Sequence, residues 1–275
     1  MADHFAAALN NIGSLYFTKE SFTNLSPIYG STYPDYQGGA GITLEVGSTS
    51  GVEVETDAGI RTFSKNLKDN FEVSIAGFKA ATEKREVFLK EQKLFFESAL
   101  TQADKLATKS IVFGDQKDEN LNRRFLEHLL RHHIAVYRLT KDLSLEDKVF
   151  EAGKAYVVPL KQAQFRILQS IFEENETNGF DKNNVFYDVS GWSTAHGYGV
   201  PFVKSKALIQ AGEQVLEVPP IAAATVDQSS LAYAFDYQDL LAPKAIYILQ
   251  QKGLLPRVAH QAFTSKTSKG EVAFA

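Results

Sequence analysis

The residue with the clearest capacity for chemistry is Glu45, in GITLEVGST (41–49). Alternation sets Ile42, Leu44 and Val46 on one face of an expected strand, with Thr43 and Glu45 on the other. An isolated carboxylate in so apolar a stretch could serve acid–base chemistry only if a site is built around it. The plainer role is a solvent-facing strand position.

The histidines offer a second chemistry. His128 and His132 are four apart, a spacing that lets two helical imidazoles share a zinc ion. Helical phase turns only His133 to the apolar face and leaves the other two on its flank. In a last turn, cationic histidines also suit the helix dipole. His196, in STAHGYG, follows an expected strand, where open sheets place ligands. With Ser190 or Ser193 it would make a serine–histidine pair, but VSGWSTA lacks the Gly-x-Ser-x-Gly elbow. The chain has no cysteine, which excludes thiolate nucleophiles, thiolate metal sites and disulfides. In VFGDQKDE the lone Gly114 stands at a strand-to-helix turn, and the acids behind it would repel a phosphate.

These residues need elements to hold them. A helix is expected over 3–12, ended by Gly13, followed by short strands and shaped loops over 14–59. From residue 60, Phe63, Leu67, Phe71, Ile75 and Phe78 recur at helical spacing, predicting one amphipathic helix. A second, charged helix over 83–106 gathers Phe88, Phe95, Ala99, Ala103 and Leu106 on one face. Strands are then predicted at 109–114, 134–139, 154–160, 184–190, 230–237 and 256–263, and helices at 119–133, 162–174 and 242–253. Residues 204–229 read as a long loop. Strands separated by helices of about a dozen residues predict crossover units and an open, mostly parallel α/β sheet flanked by helices.

The chain has 275 residues, 44% hydrophobic and 23% charged, an ordinary globular composition. A net charge of −4 supplies no excess of cations for nucleic acid. No apolar run approaches the roughly 20 residues of a membrane span, and MADHFAAALNN lacks the basic start and apolar core of a signal peptide. Three parts are expected: 1–84, a bridging helix at 85–108, and an α/β domain at 109–275. The first is short for a self-sufficient core and reads as the end of something larger.

At GSLYFTKESF, YGSTYPDYQGGAGITLEV and FYDVSGWS the sequence resembles a bacterial branch of the zinc carboxypeptidase family. In that branch a peptidase domain precedes a class I amidotransferase-like domain of flavodoxin-like type. VFGDQKDENLNRRFLEHLLRHHIAVY and AYVVPLKQAQFRILQSIFE extend the likeness in the same order. The resemblance implies that 1–84 is the tail of a carboxypeptidase domain and 109–275 an amidotransferase-like domain cut at its C-terminus and lacking the nucleophile. It puts Glu45 at the position of the general base, and makes Tyr29, with Tyr33 as runner-up, the tyrosine that covers the substrate carboxylate. Asp35 would shape a specificity pocket or, more simply, the turn after Pro34.

The family holds its zinc with a His-x-x-Glu pair and a later His. No histidine here has Glu three residues on, so the ligands would precede residue 1. The expectation is a C-terminal fragment that binds no catalytic zinc and is inactive alone. Its parent would act on a peptide or peptidoglycan-like substrate, in the periplasm or outside the cell. The contrasting expectation is a non-catalytic binding or scaffold module in which Glu45 is merely wet.

Overall fold

The aromatic spacing after residue 60 does produce a helix, but its apolar face is turned outward. A computed structural model describes residues 1–17, 29–174, 193–221, 226, 228–229, 231–267 and 270–274. The chain divides into two compact units, one holding Met1–Thr101 and the other Gln102–Glu174 and Ser193–Ala275.

The first unit contains helices α1 (Ala2–Asn11) and α2 (Thr32–Tyr36) and the hairpin of β1 (Glu53–Thr56) and β2 (Gly59–Thr62). After the hairpin come α3 (Phe63–Glu83) and α4 (Arg85–Lys105), which runs on past Thr101. Thr62 starts α3 by accepting the Lys65 N–H at 3.3 Å. The buried face of α3 is Asn66, Asp69, Val73, Ala76 and Ala80, and α1 packs along this helix. Small residues there let α1 approach closely, with Phe5 against Gly77 and His4 bonded to Glu83 at 2.9 Å. Phe63, Leu67, Phe71 and Phe78 are left 54%, 55%, 63% and 73% exposed. The face expected to seek a core is therefore open among the described residues. The expected face of α4 does turn inward at Ala99 and Ala103, which are fully buried.

The second unit overturns the expected parallel sheet. It contains β3 (Ser110–Phe113), α5 (Glu119–Arg131), β4 (Val136–Leu139), the hairpin of β5 (Leu143–Leu145) and β6 (Lys148–Phe150), and β7 (Tyr156–Pro159). Helices α6 (Phe165–Ile171) and α7 (Thr194–Tyr198) follow, then β8 (Phe202–Ser205) and β9 (Ala211–Val215). Helix α8 (Ala242–Gln251) and the hairpin of β10 (Phe263–Thr267) and β11 (Gly270–Phe274) complete it. Five strands form one sheet in the order β8-β3-β7-β4-β9, and every neighbouring pair is antiparallel. The helical crossovers exist, but each skips a place. Strands β3 and β4 run the same way with β7 inserted between them, and β7 and β8 do so with β3 between. This is the split βαβ arrangement of a ferredoxin-like sheet, with β9 added at one edge.

Its core lies on both sheet faces. Val112, Leu139, Phe150, Ala155, Val157 and Val203 form a buried cluster on one, closed by Leu143 and Leu145 of the β5–β6 hairpin. On the other, Phe113 meets the Phe125 ring edge-on at 5.1 Å and stacks on Tyr156 at 5.3 Å, and Phe172 joins the group. With both faces covered, all four residues of β3 are buried. The buried Ser110 hydroxyl of β3 is satisfied: it donates to the Ala207 carbonyl at 2.8 Å and accepts from the Ile209 N–H.

Other expected elements differ. The candidate at 184–190 lies outside the described residues, and 231–237 is not a strand. Strand β10 starts at Phe263, so 256–262 is irregular. Strands β8 and β9 fall within or beside the stretch expected as a loop.

Candidate functional site

Glu45 does not lie on a strand. Residues 41–49 are irregular, because no neighbouring strand among the described residues offers them a ladder. The segment is instead pinned at its two ends. At the first, the Gly41 N–H donates to Asp35 Oδ1 at 2.8 Å, and a Cβ on Gly41 would collide with the Ser31 backbone. Only glycine fits that approach. At the second, Asn66 Nδ2 donates to the Gly47 carbonyl at 2.7 Å.

Behind Asn66 stands a chain of polar contacts. Arg61 Nε donates to Asn66 Oδ1 at 2.5 Å, and its Nη2 reaches Asp69 Oδ2 at 3.3 Å. Asp69, almost wholly buried, also accepts from Ser14 Oγ at 2.5 Å and lies 3.4 Å from Lys65 Nζ. Lys65 donates to the Ser14 oxygen at 2.8 Å. This network anchors the stretch that carries Glu45. Asp69→Ala strands two cations and a hydroxyl in a half-dry pocket. It is expected to cost about 2 kcal/mol and to speed hydrogen exchange over 41–49. Urea melts and amide exchange read both effects, and unchanged exchange would detach the network from the segment.

Glu45 itself is exposed and makes no hydrogen bond or ion pair among the described residues. Beside it Ile42 and Leu44 are 45% and 44% exposed, leaving an apolar rim. The tyrosine loop meets the foot of the same segment, since Ser31 is the residue packed against Gly41. The Tyr29 carbonyl starts α2 by accepting the N–H groups of Thr32 at 3.1 Å and Tyr33 at 3.0 Å. Tyr33, on α2, is 42% exposed, whereas Tyr29 is partly buried. Asp35 serves the turn, through its bond to Gly41.

The other candidates separate. Ser190 lies outside the described residues. Ser193 caps α7, accepting the His196 N–H at 3.5 Å, so their contact runs through the backbone and not through the imidazole. The exposed His196 ring lies 5.3 Å from that of Phe202. Gly114 has φ +150°, and a Cβ there would lie 2.9 Å from Ala155 Cα. Asp115 fills the following loop itself, accepting from the N–H groups of Lys117 and Asp118.

The histidines depart from helical phase. His133 lies past the end of α5 with φ +57° and is exposed, while His128 and His132 are half-buried. Phase fails at His133 because the left-handed turn takes it off the helix. Burial, with a smaller contribution from His132, pushes the His128 pKa down to about 4.

Among the described residues no three histidine, aspartate or glutamate side chains gather to hold a metal. No described helix is long and apolar enough to cross a membrane. No family model, curated protein or solved structure matches the chain.

Proposed function

We propose that this chain is the C-terminal portion of a zinc-dependent carboxypeptidase-like metallopeptidase, with Glu45 as its general base. The observation that carries the reading is an exposed carboxylate, without a partner among the described residues, on a segment pinned at both ends and rimmed by exposed apolar side chains. A general base must be open to the attacking water, yet fixed in place. Glu45 meets the first condition, and the anchors at Gly41 and Gly47 supply the second. The open aromatic face of α3 supports the same reading, as a surface for the rest of a peptidase domain to cover.

In this reading the metal ligands belong to a segment upstream of Met1. The zinc held there would polarise the attacking water. Glu45 would take a proton from the attacking water and pass it to the leaving amine, and Tyr29 or Tyr33 would cover the substrate's terminal carboxylate. The substrate is a peptide or a peptidoglycan-like fragment. The second unit is an accessory module for positioning substrate, since no nucleophile arrangement is found in it among the described residues.

One observation favours a non-catalytic binding or scaffold role instead: Glu45 sits on irregular chain and not on a strand. The experiment that separates the two joins the upstream segment to this chain and assays release of C-terminal residues with zinc present. Zinc-dependent release supports the peptidase, and its absence in a folded, zinc-loaded protein leaves the scaffold.

A further inference from the structure

We infer that His128 is an acid-sensitive latch between α5 and α7: protonating its ring drives α7 off α5 and opens the second unit locally, while the sheet stays folded.

The ring is hemmed in by neighbours that cannot take its charge. It lies against Phe125 at 6.3 Å on its own helix, His132 at 4.6 Å one turn on, and Tyr198 of α7 at 5.5 Å. It is half-buried, and its nitrogens have no hydrogen-bond partner among the described residues. A neutral imidazole tolerates this setting. An imidazolium brings a charge and a second N–H into a place walled by rings. Aromatic faces attract cations, but Phe125 stands too far off and Tyr198 is tilted 44° to the imidazole, so little is returned.

The charges around the ring oppose protonation as well. Those that act on it are His132, Arg124 and Arg131, all from α5 and all cationic or able to become so. Glu127, the carboxylate of the same stretch, is already bonded to both arginines, at 2.8 and 2.5 Å. From α7 the titratable group facing His128 is the Tyr198 phenol, while the exposed His196 stands by Phe202. No carboxylate is among the groups that act on His128 to hold a proton there.

The packing decides which side gives way. Helix α5 is fixed by Phe125, Leu126 and Leu129, each fully buried. Helix α7 has five residues, of which only Ala195 is buried, and Tyr198 is its ring contact to α5. The short helix is the cheaper one to release.

The linkage sets the pH window. Burial first, then the nearby cations, push the His128 pKa down to about 4. Once α7 has left, the ring returns toward the ordinary value of about 6.5. The closed form therefore has its full stability above about pH 6.5 and loses it as the pH falls through 4. The gap is worth at most about 300-fold in the opening equilibrium. Water at the half-exposed ring screens part of it, so roughly tenfold to hundredfold is expected.

NMR on the 275-residue chain, taken from about pH 7.5 down to about 3.5, tests the latch. The His128 and Tyr198 ring signals and the α7 amides report opening, and the β3 amides report the sheet. The parent should lose the native α7 and Tyr198 signals below pH 6.5 with the β3 signals in place. His128→Phe and His128→Gln cannot take up the proton and should keep α7 closed to lower pH. His132→Gln removes a neighbouring charge and should move the His128 titration upward. A His128 ring that titrates near pH 6.5 with α7 still closed would overturn the latch. So would variants that open at the same pH as the parent, or β3 signals lost in step with those of α7. None of these outcomes bears on Glu45, which belongs to the first unit.

Discussion

Glu45→Gln, in a polypeptide that carries the upstream metal-binding segment, is expected to slow peptide release by about three orders of magnitude. Glutamine keeps the size of the side chain and removes only its capacity to take a proton. The loss should therefore fall on kcat, with KM little changed. Folding should be untouched, because the Glu45 carboxylate holds nothing among the described residues. Steady-state kinetics on a C-terminally extended peptide measure the effect. A glutamine variant as fast as the parent would remove Glu45 from the chemistry and return it to the surface. Tyr33→Phe in the same protein gives a graded comparison: a side chain that only covers a carboxylate should act mainly on KM.

The largest effect on stability is expected at Phe113→Ala. This ring is fully buried on the central strand, in contact with Phe125, Tyr156 and Phe172. Removing it leaves a cavity beneath α5 and should cost about 3–5 kcal/mol. Phe71→Ala, by contrast, removes a ring of the same size from the open face of α3. It should stay within about 0.5 kcal/mol in this chain. Urea melts, with hydrogen exchange at the β3 amides to assign the unit, distinguish the two. A Phe71 variant as damaging as the Phe113 variant would mean that the face is covered.

The helices were largely legible because their signals are local. Asp118 caps α5 through the Leu121 N–H, and Gly13 and Gly253 follow α1 and α8 with positive φ. Periodicity also found the aromatic stripe of α3. It could not say which stripe would be buried, since that depends on what stands opposite. Here α1 prefers the small residues Ala76 and Ala80, and the polar Asn66 and Asp69 go in with their partners.

The sheet departs from the sequence pattern for a different reason. Helix-spaced strands imply crossovers, and those exist, but the insertion of β7 between β3 and β4 follows from the short β5–β6 hairpin. Its three-residue strands carry almost no pattern. For the same reason β9, with its sequence AGEQV, reads as loop. In the candidate site, alternation at 42–46 suggested a strand where no ladder partner exists among the described residues. The network of Ser14, Arg61, Lys65, Asn66 and Asp69 left no sequence trace beyond the i,i+4 spacing of Lys65 and Asp69. Its members are scattered along the chain and meet only in the folded unit.

The strand order also sets a timetable. Strand β3 pairs with β7 and with β8, so Ser110 waits for Ser205 before its second neighbour exists. On a ribosome adding about 5–20 residues per second, that wait lasts roughly 5–20 s. Throughout it the apolar run SIVF presents an open edge. Pairing at such separation is slow by topology as well. An unpaired apolar edge of this kind invites aggregation, so a stop placed just before Phe202 should yield aggregates and not a smaller soluble domain.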